Sequence, residues 1–164
     1  MYDSEKAHYV SATAIIMKDG TFLLARRSPH EKRWPGRWTV PGGKLEKKDY
    51  MGRKHDTAAG QWYNVLEELV RREVREEVGI EIEYIRYLAN LVFVRPDGIP
   101  TLVISLFADY ASGDVQLSEE LTEYAWVTLE QAKDYDLIEG IYEELEMVAR
   151  HLKGERLGEW KSLS

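Results

Sequence analysis

The chain has 164 residues, of which 44% are hydrophobic, and this composition predicts a single globular domain large enough to bury a core. A formal net charge of −7 argues against nucleic acid as a partner, because a nucleic-acid binder needs a basic surface. The absence of cysteine excludes disulfides, thiol nucleophiles and cysteine-ligated zinc. Residues 1–10 show no signal-peptide core and no apolar run is long enough to span a membrane, so we expect a cytoplasmic protein without a membrane partner.

Two strands joined by a tight turn open the predicted fold. Residues 8–17 are rich in β-branched side chains, residues 22–26 are mostly apolar, and the Asp19-Gly20 pair between them is a strong hairpin signal. The loop of residues 29–37 follows and leads into Trp38. Trp34, Trp38 and the nearby cations offer stacking faces and phosphate contacts, although the two tryptophans could equally plug the end of a sheet. The cations are Lys32, Arg33 and Arg37.

A glycine pair and a polar loop come next. In Pro41-Gly42-Gly43 the glycines allow the backbone to take positive φ and to approach a ligand closely, although such a tripeptide alone is more often a turn. Residues 47–61 are polar and lack periodicity, so we expect an exposed loop in which His55 is solvated rather than a ligand.

The segment of residues 72–80 carries the strongest chemical signal in the chain. Helix-forming composition begins at Trp62, and Gly79 stands where a glycine ends a helix. Three acids spaced i, i+3 and i+4 share one face of this helix, where their repulsion raises their pKa values unless a cation lies among them: Glu73, Glu76 and Glu77. Mg²⁺ prefers such oxygen ligands, so this face is a candidate metal site, with a solvated face of Glu–Arg pairs as the alternative.

The second half of the chain predicts further strands and two helices. Residues 81–94 read as one long strand or a strand pair, an Asp97-Gly98 turn follows, and residues 101–110 form the most strand-like run. An acidic connection at residues 118–123 leads into a strand at 124–128.

Thr128 is placed to cap a short helix over residues 129–133, with Glu130 and Gln131 near its start. Residues 139–152 then form an amphipathic helix, and the tail from 154 to 164 could dock through Leu157 and Trp160. Together these elements predict an α/β (α+β) fold in which a mixed sheet lies between helices. We expect one domain over residues 1–164, with its core at about 8–152.

Residues 43 and 72–80 carry a resemblance to a known family. The signature G-x5-E-x7-R-E-U-x-E-E-x-G-U, in which U is aliphatic, is met in its second half by Arg-Glu-Val-x-Glu-Glu-x-Gly-Ile at residues 72–80. The Pro-Gly-Gly strand end and the Glu-rich stretch before Trp126 also fit. Over roughly residues 8–152 the chain therefore resembles a Nudix (MutT-type) hydrolase, for which a mixed sheet between helices is the implied fold.

The first half of the signature is altered. Counted from Gly43, its first Glu falls at Asp49, and 22 residues instead of 7 then precede Arg72, an insertion of 15 residues. Counted back from Arg72, the same position is Asn64. In the family this Glu chiefly holds the loop against the helix, so its replacement affects positioning more than metal binding. Other acids that could take its place are Glu46, Glu67 and Glu68.

The resemblance implies a Mg²⁺ site, in which Mn²⁺ could substitute. Its ligands would be the carbonyl of Gly43 and the carboxylates of Glu73, Glu76 and Glu77. Arg72 would pair with Glu73 or a neighbouring carboxylate and orient it. The base that takes a proton from the attacking water would be Glu76 or an acid before Trp126, where Glu120 fits best and Glu119 and Glu123 are rivals. Substrate contacts are assigned to Arg26, Arg27, Arg37, Trp38 and Lys44.

The activity implied by the resemblance is cleavage of the pyrophosphate linkage in a nucleoside diphosphate joined to another moiety. ADP-ribose, a nucleotide sugar or a (d)NTP would be the substrate; Pro96 stands where ADP-ribose enzymes often carry a proline, but the adjacent turn also explains it. Two alternatives are a nucleotide-sensing module without catalysis and an isopentenyl-diphosphate isomerase, the latter disfavoured by the absence of cysteine. An RNA-end hydrolase is disfavoured by the net charge. Many relatives are dimers, which leaves a homodimer open.

Overall fold

Within the described residues, seven strands and three helices make up the fold. The computed structural model describes residues 1–163. The strands are β1 (Tyr9–Lys18), β2 (Thr21–Arg27), β3 (Trp38–Thr39), β4 (Gly42–Lys44), β5 (Glu81–Val94), β6 (Pro100–Ser112) and β7 (Leu121–Val127). The helices are α1 (Val65–Val78), α2 (Leu129–Ala132) and α3 (Ile141–Leu152), and a 3-10 turn covers Lys47–Asp49.

The sheet is mixed, with a parallel pair at its centre. Its order is β3-β2-β1-β6-β5, while β4 adds to β1 and β7 adds to β2. β1 and β6 run parallel. β1 pairs with β2 only at the turn, through Met17 and Phe22, and then diverges to pair with β4. This divergence places the glycine strand β4 beside the start of β1, where it meets α1.

Alternation along β1 divides the core into two layers. Ala12, Ala14 and Ile16 face a cluster that contains the apolar face of α1, whereas Ile15 and Met17 face a cluster that contains α3. Successive side chains of a strand point to opposite sides, so α1 and α3 cover opposite faces of the sheet. The predicted mixed sheet between helices is confirmed.

The predicted start of the long helix is wrong by about three residues. α1 begins at Val65, and Asn64 before it has a left-handed backbone with φ of 56°. Trp62 belongs to the inserted loop, where its ring packs 5.2 Å from that of Tyr50 and 4.6 Å from that of His55 (centroid distances). These ring contacts outweigh the intrinsic helix propensity of residues 62–64. His55 is exposed, as expected.

Three other predicted elements take definite form. Residues 81–94 are one strand with three register shifts, not a strand pair. Thr128 caps α2: its hydroxyl accepts a hydrogen bond from the Gln131 amide at 3.2 Å, while the Gln131 side chain accepts one from the Thr128 amide at 2.9 Å. The tail docks where Trp160 Nε1 donates to the Gly140 carbonyl at 3.2 Å. Within residues 1–163 no helix has the length and apolar character of a membrane span.

Candidate active site

The acidic face of α1 opens onto a cavity of about 420 Å³. Gly79 ends the helix with a φ of 72°, and its amide donates to the carbonyls of Val74 and Arg75 at 3.0 and 3.1 Å. The cavity walls come from the loop before the insertion, from α1 and from the loop before β7. The lining residues are Glu46, Arg72, Glu73, Glu76, Glu77, Ser118, Glu119 and Glu120.

The two glycines of β4 stand where no side chain fits, Gly43 against α1 and Gly42 against β1. A Cβ atom at residue 43 would lie 2.3 Å from the carboxylate carbon of Glu73. A Cβ at residue 42 would lie 2.5 Å from the Ala12 carbonyl oxygen, and the Gly42 amide donates to Glu77 Oε1 at 3.4 Å. Gly43 is therefore required for the close approach of β4 to the Glu73 carboxylate and Gly42 for the pairing of β4 with β1, which accounts for the tripeptide better than an ordinary turn does.

Burial disfavours ionisation of two of these carboxyl groups, Glu73 and Glu77. Burial raises the pKa of Glu77 to about 9, and the hydrogen bond and charge of Glu73, with the charge of Glu120, add to the effect. Burial likewise raises the pKa of Glu73, which shares a hydrogen bond with Glu77. Both carboxyl groups would ionise more readily with a cation between them.

The donor set suits a hard divalent cation. Carboxylates and a backbone carbonyl are the oxygen ligands that Mg²⁺ prefers, and the wall at Gly43 is free of side chain. In residues 1–163, however, no three His, Cys, Asp or Glu side chains are arranged as a metal-ligand group. Glu73 and Glu77 bond to each other, and Glu76 Oε2 accepts from Arg72 Nη1 at 3.0 Å. The residues fit the ion by their chemistry, and their carboxylates would rotate away from these bonds to hold it.

Asp49, one of the two candidates for the altered position of the signature, binds Arg72. It accepts from Nε and from Nη2 of Arg72, the latter at 3.2 Å, and from the Glu46 amide at 2.8 Å, and its side chain is only 1% exposed. Burial opposes ionisation of Asp49, but the Arg72 hydrogen bond and the Glu46 amide outweigh it and lower its pKa. Asn64 makes no capping hydrogen bond. Of the two candidates for the altered position, Asp49 is therefore the one that contacts Arg72.

Arg72 connects the loop that carries Asp49 to the acidic face of α1. Besides Asp49, its Nη1 lies 2.8 Å from Glu73 Oε1 and 3.0 Å from Glu76 Oε2. The Asp49 hydrogen bond and the nearby carboxylates raise the pKa of Arg72, so it is charged at every accessible pH. The expected pairing of Arg72 with helix carboxylates is present, and the loop partner that the sequence left undecided is Asp49.

The loop before β7 is anchored against the helix end. The amides of Gln116 and Ser118 donate to the carbonyls of Val78 and Glu77, each at 2.9 Å, and the Ser28 amide donates to the Glu120 carbonyl at 2.8 Å. Glu119 and Glu120 thereby line the cavity. Glu123 lies on β7 and pairs with Arg26 Nη1 at 2.8 Å. Of the three rival bases, the structure brings two into the cavity.

The five residues assigned to substrate contacts do not line this cavity. Arg37 binds the Leu137 carbonyl and lies within 3.3 Å of the Asp136 and Glu139 carboxylates, while Trp38 packs edge-on against a tyrosine of the same segment. These contacts hold the loop of residues 29–37 against the segment that precedes α3. They account for Arg37 and Trp38 without a ligand. Arg26 donates to the Gly36 carbonyl, Arg27 donates to the Arg33 carbonyl, and Lys44 is exposed with its ammonium 5.5 Å from the ring centre of Tyr9.

The comparisons with known proteins agree with this geometry. The NUDIX domain family matches residues 7–148. The chain belongs to the Nudix family. A nucleoside triphosphatase, NudI of Klebsiella pneumoniae (strain 342), is 28% identical over 134 residues, which cover 75% of this chain and 84% of the relative.

Solved structures place this Nudix chain among MutT-like folds. The MutT protein of Methanosarcina mazei Go1 is 28% identical and matches with a TM-score of 0.65, covering 92% of this chain and 99% of that protein. The Nudix domain of Shewanella oneidensis NrtR, solved with ADP ribose, shares the fold with a TM-score of 0.68 at 19% identity, covering 92% of this chain and 94% of that domain. Family, fold and relatives confirm the prediction of a Nudix pyrophosphohydrolase.

Proposed function

We propose that this Nudix enzyme is a Mg²⁺-dependent hydrolase that cleaves the pyrophosphate linkage of a nucleoside triphosphate, with Mn²⁺ able to replace Mg²⁺. The observation that carries the proposal is the close approach of Gly43 to Glu73 on a helix face that also presents Glu76 and Glu77. Similarity to NudI supports triphosphates over ADP-ribose or nucleotide sugars, because the likeness to the ADP-ribose-bound domain is one of fold. A single domain over residues 1–164 and a cytoplasmic location, where nucleoside triphosphates are abundant, belong to the same proposal.

The metal would be held by Glu73, Glu76, Glu77 and the Gly43 carbonyl. When bound, Mg²⁺ supplies charge neutralisation at the pyrophosphate and lowers the pKa of a water molecule. The Gly42 amide fixes one oxygen of Glu77. Arg72, itself held by Asp49, keeps the side chains of Glu73 and Glu76 at the cavity, where a rotation of their carboxylates would let them hold the ion.

Glu120 is the proposed base. Its carboxylate lines the cavity, and no cation lies within salt-bridge distance of it in the part of the chain that the structure describes, whereas Glu76 is paired with Arg72. A free carboxylate on an anchored loop can accept a proton from the water that attacks phosphorus in line. Glu119, on the same loop, and Glu76 are the alternatives.

The proposal is tested by Mg²⁺-dependent release of phosphate or pyrophosphate from a panel of (d)NTPs, oxidised (d)NTPs, ADP-ribose, nucleotide sugars and dinucleoside polyphosphates. Glu77→Gln should lower kcat by several orders of magnitude and leave the fold intact. Glu130→Gln, an exposed glutamate of α2 paired with Lys133, is the matched control. Unchanged turnover in Glu77→Gln would refute the metal assignment, and nucleotide binding without turnover would favour the sensing module.

A further inference from the structure

Arginines and aromatic rings form a second cluster beside the acidic cavity. We call it the arginine clamp: Arg27, Arg33, Trp34, Phe93 and Arg95. The guanidinium carbon of Arg33 lies 3.6 Å from the ring centre of Phe93 and 4.3 Å from that of Trp34, and the two rings meet edge to face at 5.7 Å. Cation–π contacts at these distances hold the plane of the Arg33 guanidinium.

The charge of the clamp is not balanced. Among residues 1–163 no carboxylate lies within salt-bridge distance of Arg33. Arg27 has Glu31 at 3.4 Å and Arg95 has Asp97 at 3.0 Å. Burial, with the like charges of Arg95 and Arg27, lowers the pKa of Arg33. In a chain with a net charge of −7, three arginines that repel one another indicate a place for an anion.

The backbone and the sheet beneath the clamp show two further irregularities. Trp34 has a φ of 46°, a left-handed conformation that is rare for a bulky residue. Thr101 lies in the sheet between Tyr9 and Phe93. It is 1% exposed, and its hydroxyl has no hydrogen-bond partner in residues 1–163. Left-handed backbone and unpaired buried polar groups recur at binding sites.

The clamp adjoins the loop that carries the proposed base. Arg27 is the register partner of Leu121, the residue after Glu120, and the amide of Ser28 bonds to the Glu120 carbonyl. Arg27 Nε in turn donates to the Arg33 carbonyl at 2.9 Å. Arg27 therefore joins the clamp to the loop that lines the acidic cavity.

We infer that the arginine clamp binds the third phosphate of the substrate and so selects nucleoside triphosphates over ADP-ribose, in which an uncharged ribose follows the pyrophosphate. The inference rests on the proposed function and names its specificity element. Within residues 1–163 the Arg33 guanidinium has no carboxylate partner, and its planar fork of N–H donors matches two phosphate oxygens. Arg33 is the central residue, because it alone of the three arginines lacks an acidic partner.

Calorimetry with inorganic polyphosphates tests the clamp apart from catalysis. In EDTA the wild-type protein should bind tripolyphosphate at least about tenfold more tightly than pyrophosphate, and Arg33→Gln should remove this difference. Arg95→Gln is the second variant if loss of the stacked guanidinium prevents folding. Arg150→Gln, an exposed arginine of α3, should retain the preference. Equal affinity of the wild-type protein for the two anions would overturn the inference.

Kinetics provides the second test. Arg33→Gln should lower kcat/KM for nucleoside triphosphates about tenfold through KM and leave kcat/KM for ADP-ribose unchanged. An equal loss on both substrates, or no loss on either, would overturn the clamp. A protein that prefers tripolyphosphate but hydrolyses nothing in the panel would retain the clamp and refute the proposed function.

Discussion

Replacing Asp49 by Asn tests how the buried Asp49 carboxylate contributes to stability and to activity. Asp49 is buried and accepts two hydrogen bonds from Arg72, which lower the pKa of its carboxyl group. Asn keeps the shape and one acceptor oxygen but loses the charge. Arg72 retains Glu73 and Glu76, so about one charged hydrogen bond is lost, which costs about 2 kcal/mol of unfolding free energy. For a chain of this size that corresponds to a fall in Tm of about 4–8 °C.

The pH dependence of this loss has a definite sign. A carboxyl whose pKa is lower in the folded state stabilises the protein above its ordinary pKa of 3.8 and ceases to do so as the pH falls through the folded value. The gap in Tm between wild type and Asp49→Asn should therefore be full at neutral pH and close in acid. Activity should fall about 10–100-fold, as expected when a residue that orients ligand carboxylates is disturbed.

Thermal unfolding at a series of pH values, with kcat measured at neutral pH, is the assay. Asp56→Asn is the matched control for turnover, because Asp56 contacts no residue of the cavity; it pairs with Arg53 and accepts from the Tyr63 amide, so its replacement also costs stability. If Asp49→Asn behaves like Asp56→Asn in turnover, the reasoning about Asp49 is wrong.

Three further predictions concern the cavity itself. Gly43→Ala should lower kcat about 100-fold, because its Cβ meets the Glu73 carboxylate; wild-type kinetics would contradict the close approach. Glu120→Gln should lower kcat about 10²–10⁴-fold and alter the pH–rate profile, while Glu123→Gln does neither; a Glu120→Gln enzyme with wild-type rate and profile would refute Glu120 as the base. In the absence of metal, the free energy of unfolding should fall by at most about 1.4 kcal/mol per pH unit as the pH rises from the ordinary pKa of a Glu side chain to about 9. The reason is that the raised pKa of Glu77 stabilises the folded state only while this carboxyl group is protonated. If Glu77→Gln shows the same slope, the effect does not come from Glu77.

The acidic face and the end of α1 were predictable because both depend only on residues that are close together in the sequence. Spacing alone puts Glu73, Glu76 and Glu77 on one face, and Gly79 marks the helix end, where the structure has it. The Thr128 cap of α2 was predictable for the same reason, since a capping box spans only four residues.

Long-range contacts lay beyond the sequence. The choice between Asp49 and Asn64 could not be made from the sequence, because counting from Gly43 and counting back from Arg72 give different residues. Trp62 was predicted to be helical from the composition around it, because its ring contacts with Tyr50 and His55 cannot be seen in local composition. Arg33 was recognisable only as one of several loop cations, because its stacking partner Phe93 is 60 positions away in the sequence.

Calorimetric titration of Mn²⁺ into the wild-type protein, Glu77→Gln and Glu130→Gln tests most directly the claim that the α1 carboxylates form a metal site. We expect Mn²⁺ to bind to the wild type and to Glu130→Gln, and to bind to Glu77→Gln with an affinity at least about tenfold weaker. Equal affinity of all three proteins for Mn²⁺, or no binding to the wild type, would contradict it.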